Sequence, residues 1–143
     1  MTLHMLRLAV GAPDLADMRD WRTRNQMDWH GHRVVPTYTR RMPTRTAELL
    51  DGGSLYWVVK GILCCRARFV GFDLMRSPEG DEVCRMLLDT ELVETVPQPK
   101  RPFQGWRYLK PEDAPPDLDQ AGGGGGQDLP PHILAELRQL GLA

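Results

Sequence analysis

Residues 51–72, DGGSLYWVVKGILCCRARFVGF, alternate in character from one residue to the next. The odd positions Leu55, Trp57, Val59, Gly61, Leu63, Cys65, Ala67 and Phe69 are all apolar or glycine, whereas the even side turns charged at Arg66 and Arg68. A period of two held this long belongs to extended chain with one buried face, and it predicts deep burial for Trp57. The parity also constrains the turn. A two-residue hairpin at Lys60-Gly61 would pair Val59 with Ile62 and carry both arginines onto the Trp57 face, because a one-residue slip exchanges the faces. The expectation is one long strand bent at Gly61 or a hairpin with an odd-numbered loop. Either implies a curved sheet, since glycine within a strand marks a bulge or bend.

The flanking sequence supplies shorter elements. Leu3–Val10 reads as a strand, with His4, Leu6, Leu8 and Val10 on one side. A helix is predicted over about 14–26, with Leu15, Met18 and Trp21 on one face, acids at its start and arginines at its end. Residues 27–33 read as a loop, 34–40 as a short strand and 43–50 as a short helix with Pro43 in its first turn. Ser77–Gly80 has turn composition. Strands follow at 83–88 and 92–96.

At 143 residues the chain fits one domain with a single sizeable core. Residues 1–113 are read as one α+β domain. Residues 114–129, with five consecutive glycines at Gly122–Gly126, are read as a flexible Gly/Pro/Asp linker. No Gly-Lys-Ser/Thr follows those glycines, so they are not a phosphate loop. Residues 130–143 are read as a C-terminal amphipathic helix striped by Ile133, Leu134, Leu137 and Leu140.

Net charge is −1, but residues 1–68 carry 11 Lys/Arg against 6 Asp/Glu, and residues 69–143 carry 7 against 13. The basic half is nearly all arginine, suited to bidentate contact with phosphate or carboxylate and to stacking on rings. Those arginines either form an anionic-ligand surface or pair with the acidic half. Three cysteines without framework spacing fit a reducing cytoplasm. The N-terminus lacks a signal-peptide core, and the run Leu55–Cys65 is too short for a membrane span.

The segment Lys100–Lys110, KRPFQGWRYLK, interleaves aromatics with cations. If extended, it places Trp106 and Tyr108 on one face and Arg107 and Leu109 on the other, an arrangement that suits stacking on bases and contact with phosphates. The candidate ligand surface is Trp57, Arg66, Arg68, Arg101, Trp106, Arg107 and Tyr108, and the alternative is core aromatics separated by solvated arginines. His30 and His32 lack further ligands at metal spacing. Cys64, placed by parity beside Arg66 and Arg68, has no base assigned by sequence. No catalytic motif, metal site or cofactor is indicated.

The strings TLHMLRLAVG, LDGGSLYWVVKG and RPFQGWRYLKPEDAPPDL resemble an uncharacterised alphaproteobacterial family known only as a domain of unknown function. That resemblance covers most of residues 1–118 and implies a bacterial cytoplasmic protein without an established activity. The order of a helix, GGSLYWVVKG, a curved strand and GWRYL is also similar to small PUA-like barrels, named for pseudouridine synthases and archaeosine transglycosylases, which bind RNA or modified bases. The expected fold is therefore α+β: a curved, mainly antiparallel sheet, partly closed into a PUA-like barrel, with two or three flanking helices. The expected role is a non-catalytic module binding RNA or a nucleotide-like anion. The alternatives are a small enzyme acting on a nucleotide-like substrate and a protein-interaction module using the last helix.

Overall fold

The computed structural model describes residues 1–9, 14–101, 103 and 105–118. In chain order the elements are β1 (His4–Leu8), α1 (Leu15–Arg24), β2 (Met27–Trp29), β3 (His32–Thr39), α2 (Thr46–Leu50), β4 (Ser54–Val59) and β5 (Ile62–Arg76). There follow β6 (Glu82–Asp89), β7 (Val93–Pro99), β8 (Trp106–Leu109) and a 3-10 turn at Pro111–Asp113. The strands join in the order β2-β3-β6-β5-β4-β1-β8, and β7 pairs with β5. β1 and β4 run parallel; the other six named ladders are antiparallel. The outermost strands, β2 and β8, do not pair, so the sheet is mixed and open. The closure expected of a PUA-like barrel is absent among the described residues.

β5 organises the sheet as its length suggests. Its first half lies between β4 and β7, and its second half continues along β6. The join to β4 overturns the argument from parity. Val59 pairs with Ile62 across a two-residue turn, in which Lys60 has φ 47° and Gly61 φ 81°. Positive φ at both central residues is the hairpin turn whose twist matches that of its strands, and glycine adopts it without a Cβ penalty. The expected exchange of faces is cancelled by a bulge. Trp57 pairs with Cys65 but Val58 pairs with Leu63, leaving Cys64 as the extra residue. Arg66 thus returns to the face opposite Trp57, and Ile62 and Cys64 join the core from even positions.

The loop expected at 27–33 is a second hairpin of the same kind. Trp29 pairs with His32 across His30 (φ 48°) and Gly31 (φ 84°). α1 begins at an Asp14 cap whose carboxylate accepts the Asp17 N–H at 2.8 Å. Its buried residues are Leu15, Met18 and Arg22; Trp21, expected on that face, is exposed.

All six residues of β4 are buried, so this strand has two buried faces rather than one. Leu55, Trp57 and Val59 enter the main core with Met5, Leu49, Cys65, Met86 and Leu88. Tyr56 and Val58 form a smaller cluster on the opposite face with Leu6, Leu63, Phe103 and Leu109. Full burial of each such aliphatic chain contributes about 1.5–3 kcal/mol, which favours keeping β4 central. Residues 114–118, expected to begin the linker, are bound to the domain: Pro116 O accepts the Val96 N–H and Leu118 N–H reaches Glu94 O. The rest of that stretch and the expected C-terminal helix lie outside the described residues. No described helix is long and apolar enough to cross a membrane.

Candidate functional site

Residues paired directly across a sheet share a face. In β4, β1 and β8 this rule aligns Trp57, Arg7 and Trp106 in one row, with Leu55, Met5 and Tyr108 in the next. Both rows face the main core. Arg7 therefore stands between two indoles. Its Nη1 donates to Tyr38 O at 2.7 Å and to Thr37 Oγ1 at 3.3 Å, tying β1 to β3 across strands that are not paired. Burial pulls the guanidinium below its ordinary pKa. No described carboxylate forms an ion pair with it.

The aromatic groups around Arg7 are differently satisfied. Trp57 is 8% exposed, as the alternation predicts, and its Nε1 donor has no partner among the described residues. Such an orphan is costly unless something accepts from it. Trp106 is half-buried and meets Tyr108 edge-on, with ring centroids 4.9 Å apart. The Tyr108 hydroxyl accepts the Arg45 N–H at 3.2 Å, and the Arg45 guanidinium lies 5.5 Å from the ring centroid. The segment leading into α2 is thereby fixed against β8. Arg40 and Arg41, two and three residues beyond Tyr38, are exposed.

The opposite face carries the other expected arginines. Arg66 donates Nε and Nη2 to the two carboxylate oxygens of Asp117, both at 2.7 Å, and Nη1 to Ser54 Oγ at 3.0 Å. Its charge is met by an acid of the second half, the pairing alternative read from the charge distribution. Ser54 N–H donates to His4 Nδ1 at 3.0 Å, and the His4 ring meets Tyr56 edge-on. Burial, and then the Arg66 charge, hold His4 below its usual pKa. Burial raises the Tyr56 phenol, while Arg66 opposes it. The Arg107 guanidinium lies 5.0 Å from the Phe103 ring centroid. Arg68 pairs with Ser54 and is exposed, and Arg101 is exposed after β7.

The seven expected residues thus divide between surfaces. Trp57, Trp106 and Tyr108 come together on the inner face; Arg66, Arg68 and Arg107 lie on the other, and Arg101 joins neither group. Cys64, expected beside Arg66 and Arg68, is separated from them by the bulge. The arginine that does stand among the aromatics is Arg7, which the sequence reading omitted. The available signal was its position in Leu3-His-Met-Leu-Arg-Leu-Ala9, where one charge interrupts the otherwise apolar odd positions.

Fold and geometry together define a mostly stranded protein with few helices on an open mixed sheet, with an arginine paired between two tryptophans on its inner face. The chain matches the family model described as "Protein of unknown function (DUF1489)" over residues 5–143, and it belongs to that family. No curated protein and no solved structure matches it.

Proposed function

We propose that this protein is a non-catalytic binding module for a small nucleotide-like anion, held at the rim of the inner face by Arg7 and Trp106. The observation that carries this reading is Arg7: half-buried, paired in the sheet between Trp57 and Trp106, with its guanidinium bonded only to neutral acceptors among the described residues. A planar guanidinium suits a phosphate or carboxylate, and an indole suits the ring of a base. Exposed Arg40 and Arg41 add positive charge further along β3's exit. A small ligand is favoured over RNA because Arg66 and Arg107, which would follow a phosphate backbone, belong to the opposite face.

The test is calorimetric titration of the full chain with nucleoside mono-, di- and triphosphates and, separately, a short single-stranded RNA. At least one nucleotide should bind, and Arg7→Gln should weaken it by about tenfold or more, the equivalent of about 1.4 kcal/mol. Trp106→Leu should weaken it as well. Absence of binding by every nucleotide, or equal binding by Arg7→Gln, overturns the reading. Binding of the RNA alone, with a steep salt dependence, would restore the extended nucleic-acid surface in its place.

A further inference from the structure

Three sulfurs meet where α1 packs on the bulge of β5. The bulge brings Cys64 and Cys65 into the same core, with their Sγ atoms 4.0 Å apart. Met18 Sδ lies 4.0 Å from Cys65 Sγ. All three residues are buried, at 3%, 0% and 6% exposure for Cys64, Cys65 and Met18.

One turn further along α1, Arg22 is buried as deeply, at 4% exposure. Its Nη2 donates to Asp89 O, but its Nε has no partner among the described residues. The nearby Asp89 carboxylate makes no ion pair with it; Asp89 Oδ1 instead accepts from Glu91 N–H at 3.2 Å and Thr90 Oγ1 at 3.4 Å. A guanidinium keeps its proton and is costly to bury without a counter-charge. Burial pulls Arg22 down to about 10, against the opposing influence of Cys65 and Asp89.

We propose that Cys64, Cys65 and Met18 form a binding site for copper(I), with Arg22 balancing its charge. Thiolate and thioether sulfurs are the donors that select this soft ion. At a metal–sulfur distance of about 2.3 Å, the value for zinc thiolates, a trigonal ion spans sulfurs about 4.0 Å apart, and the two separations from Cys65 Sγ, to Cys64 Sγ and to Met18 Sδ, match two edges of that triangle. Structural zinc requires a fourth ligand, and no group of three or more His, Cys, Asp or Glu residues is placed to bind a metal among the described residues. Binding releases one proton from each thiol and forms three copper–sulfur bonds, with no change in oxidation state. Two thiolates and one monovalent cation leave a single negative charge, which the Arg22 guanidinium neutralises. The inference does not depend on the nucleotide reading.

The experiment is anaerobic titration of the full chain with copper(I) against a chromogenic copper(I) chelator. One equivalent should be withheld from the chelator by the wild type and released by both Cys64→Ser and Cys65→Ser. Cys84→Ser should retain it, because the sulfur contact of Cys84 among the described residues is Met42 Sδ, at 3.5 Å, away from the Cys64–Cys65–Met18 group. X-ray absorption on the loaded wild type should show a three-sulfur shell, a readout that needs no variant to fold. Failure of the wild type to withhold copper overturns the site. So does a shell containing nitrogen or oxygen, or equal retention by the Cys65→Ser chain.

Discussion

His4 presents an acceptor nitrogen to the Ser54 N–H, which places its own proton on Nε2 and keeps the ring neutral. Burial and the nearby Arg66 resist a second proton. The folded pKa therefore lies below the unfolded value of 6.5. As pH falls through 6.5 the unfolded chain takes up a proton that the folded chain refuses, so stability declines until the folded value is passed. Urea unfolding between about pH 7 and pH 5 should show this loss in the wild type, and His4→Gln should flatten it. Asp73 acts in a separate, more acidic window: hydrogen bonding from Arg85 holds its carboxyl low, and that stabilisation is lost as pH falls below the ordinary carboxylate range. An unchanged slope in His4→Gln would remove His4 as the source of the upper transition.

At the scale of the element, β5 bends where Phe69 pairs with Leu88 but Gly71 pairs with Leu87. The register slips there, and the Trp29 indole of β2 occupies the place where a Cβ on residue 71 would stand. Gly71→Ala must displace that ring, and overpacking of this kind costs about 1–3 kcal/mol. The expected result is a lower denaturation midpoint with red-shifted tryptophan emission. A midpoint and spectrum like those of the wild type would mean that β2 yields freely. The same strand marks the limit of what the sequence disclosed. The strands at 34–40, 83–88 and 92–96 and the helix at 14–26 were visible as repeats of two or of three to four residues. The Lys60-Gly61 hairpin was not, because its face exchange and the Cys64 bulge cancel and leave an unbroken alternation. Trp106 and Tyr108 could be placed on one face from local spacing. Arg7 could not be placed beside them, because that required knowing that β1 enters between β4 and β8.

In the whole molecule, the segment after the 3-10 turn runs antiparallel beside β7, held by backbone hydrogen bonds and, among the described residues, by one ion pair to Arg66. Asp117 bridges to Thr95 of β7 through the backbone while its carboxylate grips Arg66 of β5. The two side chains are 15% and 23% exposed, so solvent screens the pair less than a surface contact. The planar, two-point geometry favours this carboxylate over a single-point acceptor. Asp117→Asn keeps the shape and loses the charge; Arg66→Gln removes the other partner; the double variant completes a cycle. Its coupling energy should be about 1–2 kcal/mol, below the value for a fully buried pair because both groups retain some water. Hydrogen exchange separates fixation of the segment from general stability. In Asp117→Asn the Val96 and Leu118 amides, which bond to Pro116 O and Glu94 O, should exchange faster. Amides in the β4–β5 ladder should keep their protection apart from the uniform loss that follows global stability. If the coupling is near zero and those two amides are unmoved, the backbone bonds alone hold the segment. Arg66 would then be free to serve a ligand, and the opposite face would again become a candidate surface for anions.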